Sequence, residues 1–201
     1  MFRVLIFSLT LLASSVAVAQ VPSQNGGKNM VEMEVAEDFM AIAMEASKPL
    51  TEADVKQFLK AVDDFVNWAE SDVKNRAAFH AMSADARRAK MEEMVSAGQG
   101  HKNGMAILFG RIEFANKMSQ PGERDKLKKQ YAESQAQKAM MESKLQELPP
   151  QMQSQMKSQL TAALEMLESG ANYPDEAIAV YKKNQAKLDA AIKRLEDLDK
   201  D

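Results

Sequence analysis

Residues 105–114 read MAILFGRIEF, a segment that is apolar on almost every side when it is coiled into an α-helix. A helix that is hydrophobic all round is buried in a protein core or in a membrane. The segment is too short to cross a bilayer, which takes about 20 consecutive apolar residues. We therefore expect it to form the central helix of an N-terminal helical region over residues 29–118.

Amphipathic helices are predicted on the N-terminal side of this segment. Asn29 can cap a first helix that runs to about Ser47, and Pro49 then ends it because the residue before a proline avoids helical geometry. The apolar side chains of that helix fill an arc of about 200°, which is wide enough to contact more than one neighbour. The sequence TEAD at residues 51–54 predicts a capping box at the start of a second helix, and Ser83 is placed to cap a third.

The chain changes character after Met118, where long helices with narrow apolar seams begin. Seam positions alternate in steps of three and four residues, which is the spacing of coiled coils. The predicted seams are Leu127, Tyr131, Ser134, Lys138, Met141, Leu145 and Leu148 in one helix, Met152, Met156, Leu160, Ala163 and Leu167 in the next, and Ile178, Tyr181, Gln185, Leu188, Ile192 and Leu195 in the last. We expect an all-α helical bundle in which residues 119–201 form an elongated, coiled-coil-like antiparallel hairpin or three-helix region.

The N-terminus has the organisation of an export signal. Arg3 precedes an apolar stretch that starts at Val4, and Ala17-Val18-Ala19 is a small-x-small cleavage site. We expect residues 1–19 to be a signal peptide cleaved after Ala19, residues 20–28 to be a flexible leader, and no transmembrane anchor to remain. The protein is predicted to be periplasmic or secreted.

Charge and cysteine content narrow the class of protein further. The chain has no cysteine, so packing alone must stabilise it in an oxidising compartment. Its net charge of −3 and its acid-interleaved basic clusters do not form the basic stripe that nucleic-acid binding requires. We therefore expect a protein partner rather than a nucleic acid.

No group of residues has the pattern of a catalytic site. The chain lacks a cysteine nucleophile, a G-x-S-x-G elbow and the HExxH and ExxH spacings of metalloenzymes. The glycine-rich GQGHKNG, residues 98–104, is not followed by the Lys-Ser/Thr of a phosphate-binding loop. We predict a non-enzymatic protein without a cofactor.

Methionine is the one unusual component, with 15 residues. Thioethers suit Cu(I), and methionines three or four residues apart lie on the same side of a helix. Met40 and Met44, together with His80 or His101, are the candidate ligands for such a metal. Methionine is also an adaptable core filler, and the packing interpretation is favoured.

The leading functional hypothesis is a helical binding, adaptor or chaperone-like protein that docks a partner helix or an unfolded segment on an amphipathic, methionine-lined surface. Phe58, Phe65 and Trp68 are the candidate contacts, and the C-terminal helices allow homo-oligomers. The first alternative is the periplasmic copper-binding protein. The second is a bundle that binds a small molecule between the first helix and residues 105–114.

Overall fold

The computed structural model describes residues 40–96, 104–147 and 149–198, and the predicted signal peptide and leader lie outside them. Within these residues the chain contains helices and no strand, so the all-α prediction is confirmed. In chain order the helices are α1 (residues 40–46), α2 (Glu52–Glu70), α3 (Val73–Ala81), α4 (Ala84–Ser96), α5 (Gly104–Ser119), α6 (Glu123–Leu145), α7 (Pro150–Ala171) and α8 (Asp175–Asp197).

Local sequence signals explain where several of these helices begin. The Thr51 hydroxyl accepts the backbone N–H of Asp54 at 3.2 Å, and Asp54 Oδ2 accepts the Thr51 N–H at 2.9 Å. This reciprocal pair is the predicted capping box. Ser83 caps α4 by accepting the N–H of Ala86 at 3.2 Å, again as predicted. Pro150 occupies the first turn of α7, where its missing N–H removes no helical hydrogen bond.

The helix α5 is the centre of the fold. Its side chains contact α2, α4, α6 and α8, and its buried residues include Leu108, Ile112 and Met118. Phe58 and Val62 of α2, both 0% exposed, lie in the same core. The prediction of a central helix at residues 105–114 is therefore confirmed.

The last helix packs against α2 and α5 of the N-terminal region. It thus differs from the predicted arrangement in which it joins α6 and α7 in a three-helix unit. Its buried stripe also differs from the predicted seam, because Asn184 is buried and Gln185 is exposed. An α-helix resting in the groove between two others needs a broader apolar stripe than a two-stranded seam supplies. The division of the chain near residues 119–122 stays a prediction.

A close backbone approach holds α1 against α5. A Cβ atom built on Gly110 would lie 2.5 Å from Ala46 Cβ, so only glycine permits this crossing. Beside it, Arg111 donates to the Glu45 carbonyl oxygen at 3.1 Å and to Asp54 Oδ1 at 2.7 Å. The Arg111 and Asp54 side chains are only 19% and 11% exposed, so this ion pair joins α1, α2 and α5 at a partly desolvated point.

Candidate functional site

The hairpin of α6 and α7 is anchored to the rest of the fold at one end. Arg124, near the start of α6, donates to Asp175 Oδ1 at 2.7 Å and to the Tyr173 carbonyl oxygen at 3.3 Å. Gly170, near the end of α7, lies so close to Leu127 that an added Cβ would be 2.4 Å from Leu127 Cδ1. These contacts place the first turn of α6 beside the last turn of α7, so the two helices run in opposite directions.

Tyr173 closes this anchored end. Its hydroxyl accepts the N–H of Leu50 at 3.0 Å, and its ring meets the Phe114 ring edge-on at a centroid distance of 5.3 Å. Burial raises the pKa of the Tyr173 hydroxyl above its ordinary value. Ser169 adds a hydrogen bond to the Ser47 carbonyl oxygen at 2.7 Å. The base of the hairpin is therefore well ordered by direct contacts to α1, α5 and the loop before α2.

The other end of the hairpin is covered on one side only. The helix α6 has no buried residue, and among the α7 residues whose burial is described the first buried one is Ala162. At the tip, Gln153 Nε2 donates to the Gln146 carbonyl oxygen at 3.2 Å across the turn. In a pair of helices, each helix can cover only the facing side of the other, so apolar side chains outside that contact remain in solvent.

Three methionines are exposed at this end, namely Met140, Met152 and Met156. We call them the distal methionines. Their exposed fractions are 55%, 42% and 41%. All three lie within about 10 Å of the turn along the helix axes, at 1.5 Å per residue. Half-buried Leu145 and Leu160 lie in the same part of the hairpin. The tip thus combines flexible, polarisable apolar side chains with a short connecting turn.

The tip is also weakly charged. Residues 131–161 contain three acidic and three basic residues, which cancel. These residues are Glu133, Glu142 and Glu147, and Lys138, Lys144 and Lys157. The first three turns of α7 carry only Lys157 among Gln, Ser and Met residues. Lys138 was predicted to lie in the helix seam, but it is exposed and lies 4.0 Å from the Glu142 carboxylate. Such a surface does not select a strongly acidic or basic ligand.

Two of the three aromatic residues predicted to contact a partner belong to the core. Phe58 is 0% and Phe65 is 2% exposed, so neither can touch a partner in the folded protein. Trp68 is half-buried and packs on the Phe65 ring at a centroid distance of 5.8 Å. Its other neighbour is Lys90 of α4, whose ammonium lies 5.6 Å from the indole centroid. Among these three residues, only Trp68 reaches the surface.

The structure does not place the predicted metal ligands in one site. Met40 and Met44 are half-buried in α1, whereas His80 is exposed near the end of α3, where its ring meets Phe79. His101 lies outside the described residues. Among the described residues, no group of three or more His, Cys, Asp or Glu side chains is arranged to hold a metal ion. Copper binding by these four residues stays a prediction.

The small-molecule site predicted between the first helix and residues 105–114 stays a prediction, because only residues 40–46 of that helix are described. Where α1 crosses α5, Ala46 fills the gap above Gly110. A cleft of about 440 Å³ lies between α2 and α8, and Val55 and Leu59 form its apolar floor. Charged side chains rim it, and Lys183 and Asn184 both donate to the Glu52 carboxylate. These hydrogen bonds lower the pKa of Glu52 below its ordinary value.

One carboxyl group is poorly solvated at the contact of α5 with α8. Burial raises the pKa of Glu113 above its ordinary value, and the nearby Asp189 charge raises it further. Burial likewise raises the pKa of Tyr181, with smaller contributions from Asp189 and Glu113. No basic side chain forms an ion pair with Glu113 among those found in the described residues. The raised pKa of Glu113 makes the stability of the fold depend on pH.

Comparisons with known proteins do not assign the chain to a class. No protein family, curated protein or solved structure matches it. Among the described residues, no helix combines the length and apolarity that crossing a bilayer requires. The functional conclusion therefore depends on the surface itself, and the distal methionines are its most unusual feature.

Proposed function

We propose that this protein is an exported, non-enzymatic binding protein of the chaperone or adaptor type. Its distal methionines take up apolar, weakly charged segments of other polypeptides. The observation that carries this proposal is the exposure of Met140, Met152 and Met156 at the free end of an anchored hairpin. Export rests on the signal-like sequence of residues 1–19.

The chemistry of the tip favours an apolar polypeptide segment as the occupant. Covering the exposed part of one methionine contributes roughly 1 kcal/mol, so three contribute about 3 kcal/mol before the cost of association. Methionine changes rotamer easily, which allows one surface to fit segments of different shape. The balanced charge of residues 131–161 imposes no electrostatic preference, as expected for a surface that accepts many apolar sequences.

The coiled-coil-like geometry predicted for α6 and α7 would separate the distal methionines from the rest of the molecule. A paired, narrow hairpin carries its tip away from the anchored base by about 34 Å, the length of a helix of 23 residues at 1.5 Å per residue. A bulky non-native chain can then reach the tip without meeting the globular part of the molecule.

The proposal is tested with the processed protein, starting at Gln20. Binding of a fluorescent, apolar, uncharged peptide is measured by anisotropy, and protection of a denatured enzyme from aggregation is measured by light scattering. The triple variant M140Q/M152Q/M156Q should bind the peptide at least about tenfold more weakly and lose protection. Gln and Met have similar helix propensities, so the hairpin should stay folded.

Two matched controls make the result specific. The triple variant M140L/M152L/M156L keeps the surface apolar and should retain binding. Val73→Gln removes another exposed apolar side chain, which is 86% exposed on α3, and should change nothing. Equal binding by the parent and by the glutamine variant contradicts the proposal. So does a stable dimer of the parent that the glutamine variant no longer forms, because a second copy would then be the occupant.

A further inference from the structure

Among the described residues the methionines include an exposed set and a buried set, and Met40, Met44, Met82, Met94, Met141 and Met166 are half-buried between these two extremes. The distal methionines are 55%, 42% and 41% exposed at positions 140, 152 and 156. The core methionines are Met91, Met105 and Met118, at 4%, 7% and 2% exposure. The rate at which a thioether is oxidised depends on its access to the oxidant. The buried core methionines therefore serve as internal references for the oxidation rate of the exposed distal methionines.

The chain has no cysteine, which determines where an oxidant reacts first. A thiolate would otherwise consume peroxide before a thioether. In its absence, exposed thioethers are the groups most ready to give up two electrons. Among the described methionines, the distal methionines are therefore the first that a peroxide from solvent meets.

We infer that the distal methionines are a modification site for peroxides, and that their conversion to sulfoxides switches off the polypeptide binding described above. This inference rests on the proposed function. In the reaction the methionine sulfur bonds to one peroxide oxygen and the O–O bond breaks. The second oxygen leaves with both hydrogens as water. Sulfur loses two electrons and the peroxide gains them, so one hydrogen peroxide is consumed for each sulfoxide.

The change in surface chemistry is large and confined to the tip. A sulfoxide is polar and hydrogen-bonds to water, so it no longer favours contact with an apolar segment. The hairpin itself does not depend on the distal thioethers, because its base is held by Arg124, Gly170 and Tyr173 and because Leu164, nearer that base, is buried. Oxidation should therefore remove binding while the fold remains.

Exposure also makes the modification accessible to enzymatic reversal. A thiol-dependent methionine sulfoxide reductase must reach the sulfoxide, and all three sites are accessible to it. Two thiols become a disulfide in that step, and the sulfoxide oxygen leaves as water. A buried sulfoxide in the core would have no such access.

The experiment treats the folded, processed protein with increasing hydrogen peroxide and maps each methionine by peptide mass spectrometry. Met140, Met152 and Met156 should be oxidised at least about tenfold faster than the three core methionines. Peptide binding should fall by at least about tenfold in step with oxidation at these sites. Treatment with both stereospecific reductases and a dithiol should restore it. The M140L/M152L/M156L variant should keep its binding after the same peroxide treatment.

Equal oxidation rates at exposed and core methionines would overturn the assignment of the site. Unchanged binding by protein that is fully oxidised at the three sites would overturn the switch alone. An untreated protein that does not bind the peptide would defeat the proposed function and the switch together. Circular dichroism of the oxidised protein separates a local effect from unfolding, and loss of helix would contradict the inference.

Discussion

The crossing of α1 over α5 provides a sharp test of the fold, because the Ala46 methyl group lies against Gly110 and leaves no room for a side chain there. In Gly110→Ala, the new Cβ would lie 2.5 Å from Ala46 Cβ. Ordinary carbon contacts lie at about 3.5–4.0 Å, so the helices must separate by about 1 Å. Overpacking of this kind costs about 1–3 kcal/mol, while replacing a helical glycine with alanine returns about 1 kcal/mol. We expect a net loss of about 1 kcal/mol in the free energy of unfolding.

Ala46→Gly provides a second test, because it should reverse the sign of the stability change that Gly110→Ala causes. In an Ala46→Gly background the obstructing methyl group is gone, so Gly110→Ala should stabilise the protein by about 1 kcal/mol. Urea denaturation followed by circular dichroism measures all four proteins of the cycle. If Gly110→Ala stabilises the parent as well, α1 does not lie against α5 as described, and the reasoning fails.

Two further predictions concern the core residue Phe58 and the poorly solvated carboxyl group of Glu113. Phe58→Ala should lower the free energy of unfolding by about 3–5 kcal/mol because Phe58 is 0% exposed. Trp68→Ala should lower it clearly less, because Trp68 is only half-buried. Equal losses in urea denaturation would contradict this order. For Glu113, the folded pKa is raised, so the folded state binds its proton more tightly and stability falls as pH rises through that pKa. Glu113→Gln should therefore be more stable than the parent at pH 7 and equally stable below the ordinary carboxyl pKa of 4.5. Urea denaturation at a series of pH values measures this difference in the free energy of unfolding. A difference that stays constant with pH would show that Glu113 does not titrate in this range.

The aromatic residues show where sequence reasoning about the site reached its limit. Helical periodicity places Phe58, Phe65 and Trp68 on or near an apolar stripe, but it does not say which neighbour covers each of them. The structure buries the first two and leaves Trp68 at the surface beside Lys90. A signal for the exposed tip was present in the sequence, because residues 149–164 contain a single charge beside two methionines.

Local chemistry determined much of this protein by itself. Thr51 and Ser83 start helices because their hydroxyls accept backbone N–H groups that lack partners in the helix, and Pro150 opens α7 because its ring suits a first turn. These effects act within four residues, so a sequence displays them directly. The apolar character of residues 105–114 likewise predicts burial without further information.

Only the tertiary structure determines which apolar surfaces are buried against another helix. The last helix rests on α2 and α5, although its spacing also suits a partner in the C-terminal half. Among the described residues, no third helix packs against the end of the hairpin that contains Met140, Met152 and Met156, and these side chains are exposed. Periodicity in the sequence defines the apolar side of a helix. Which other helix packs on that side depends on contacts between residues more than 50 positions apart in the chain, such as the contact of Arg124 with Asp175.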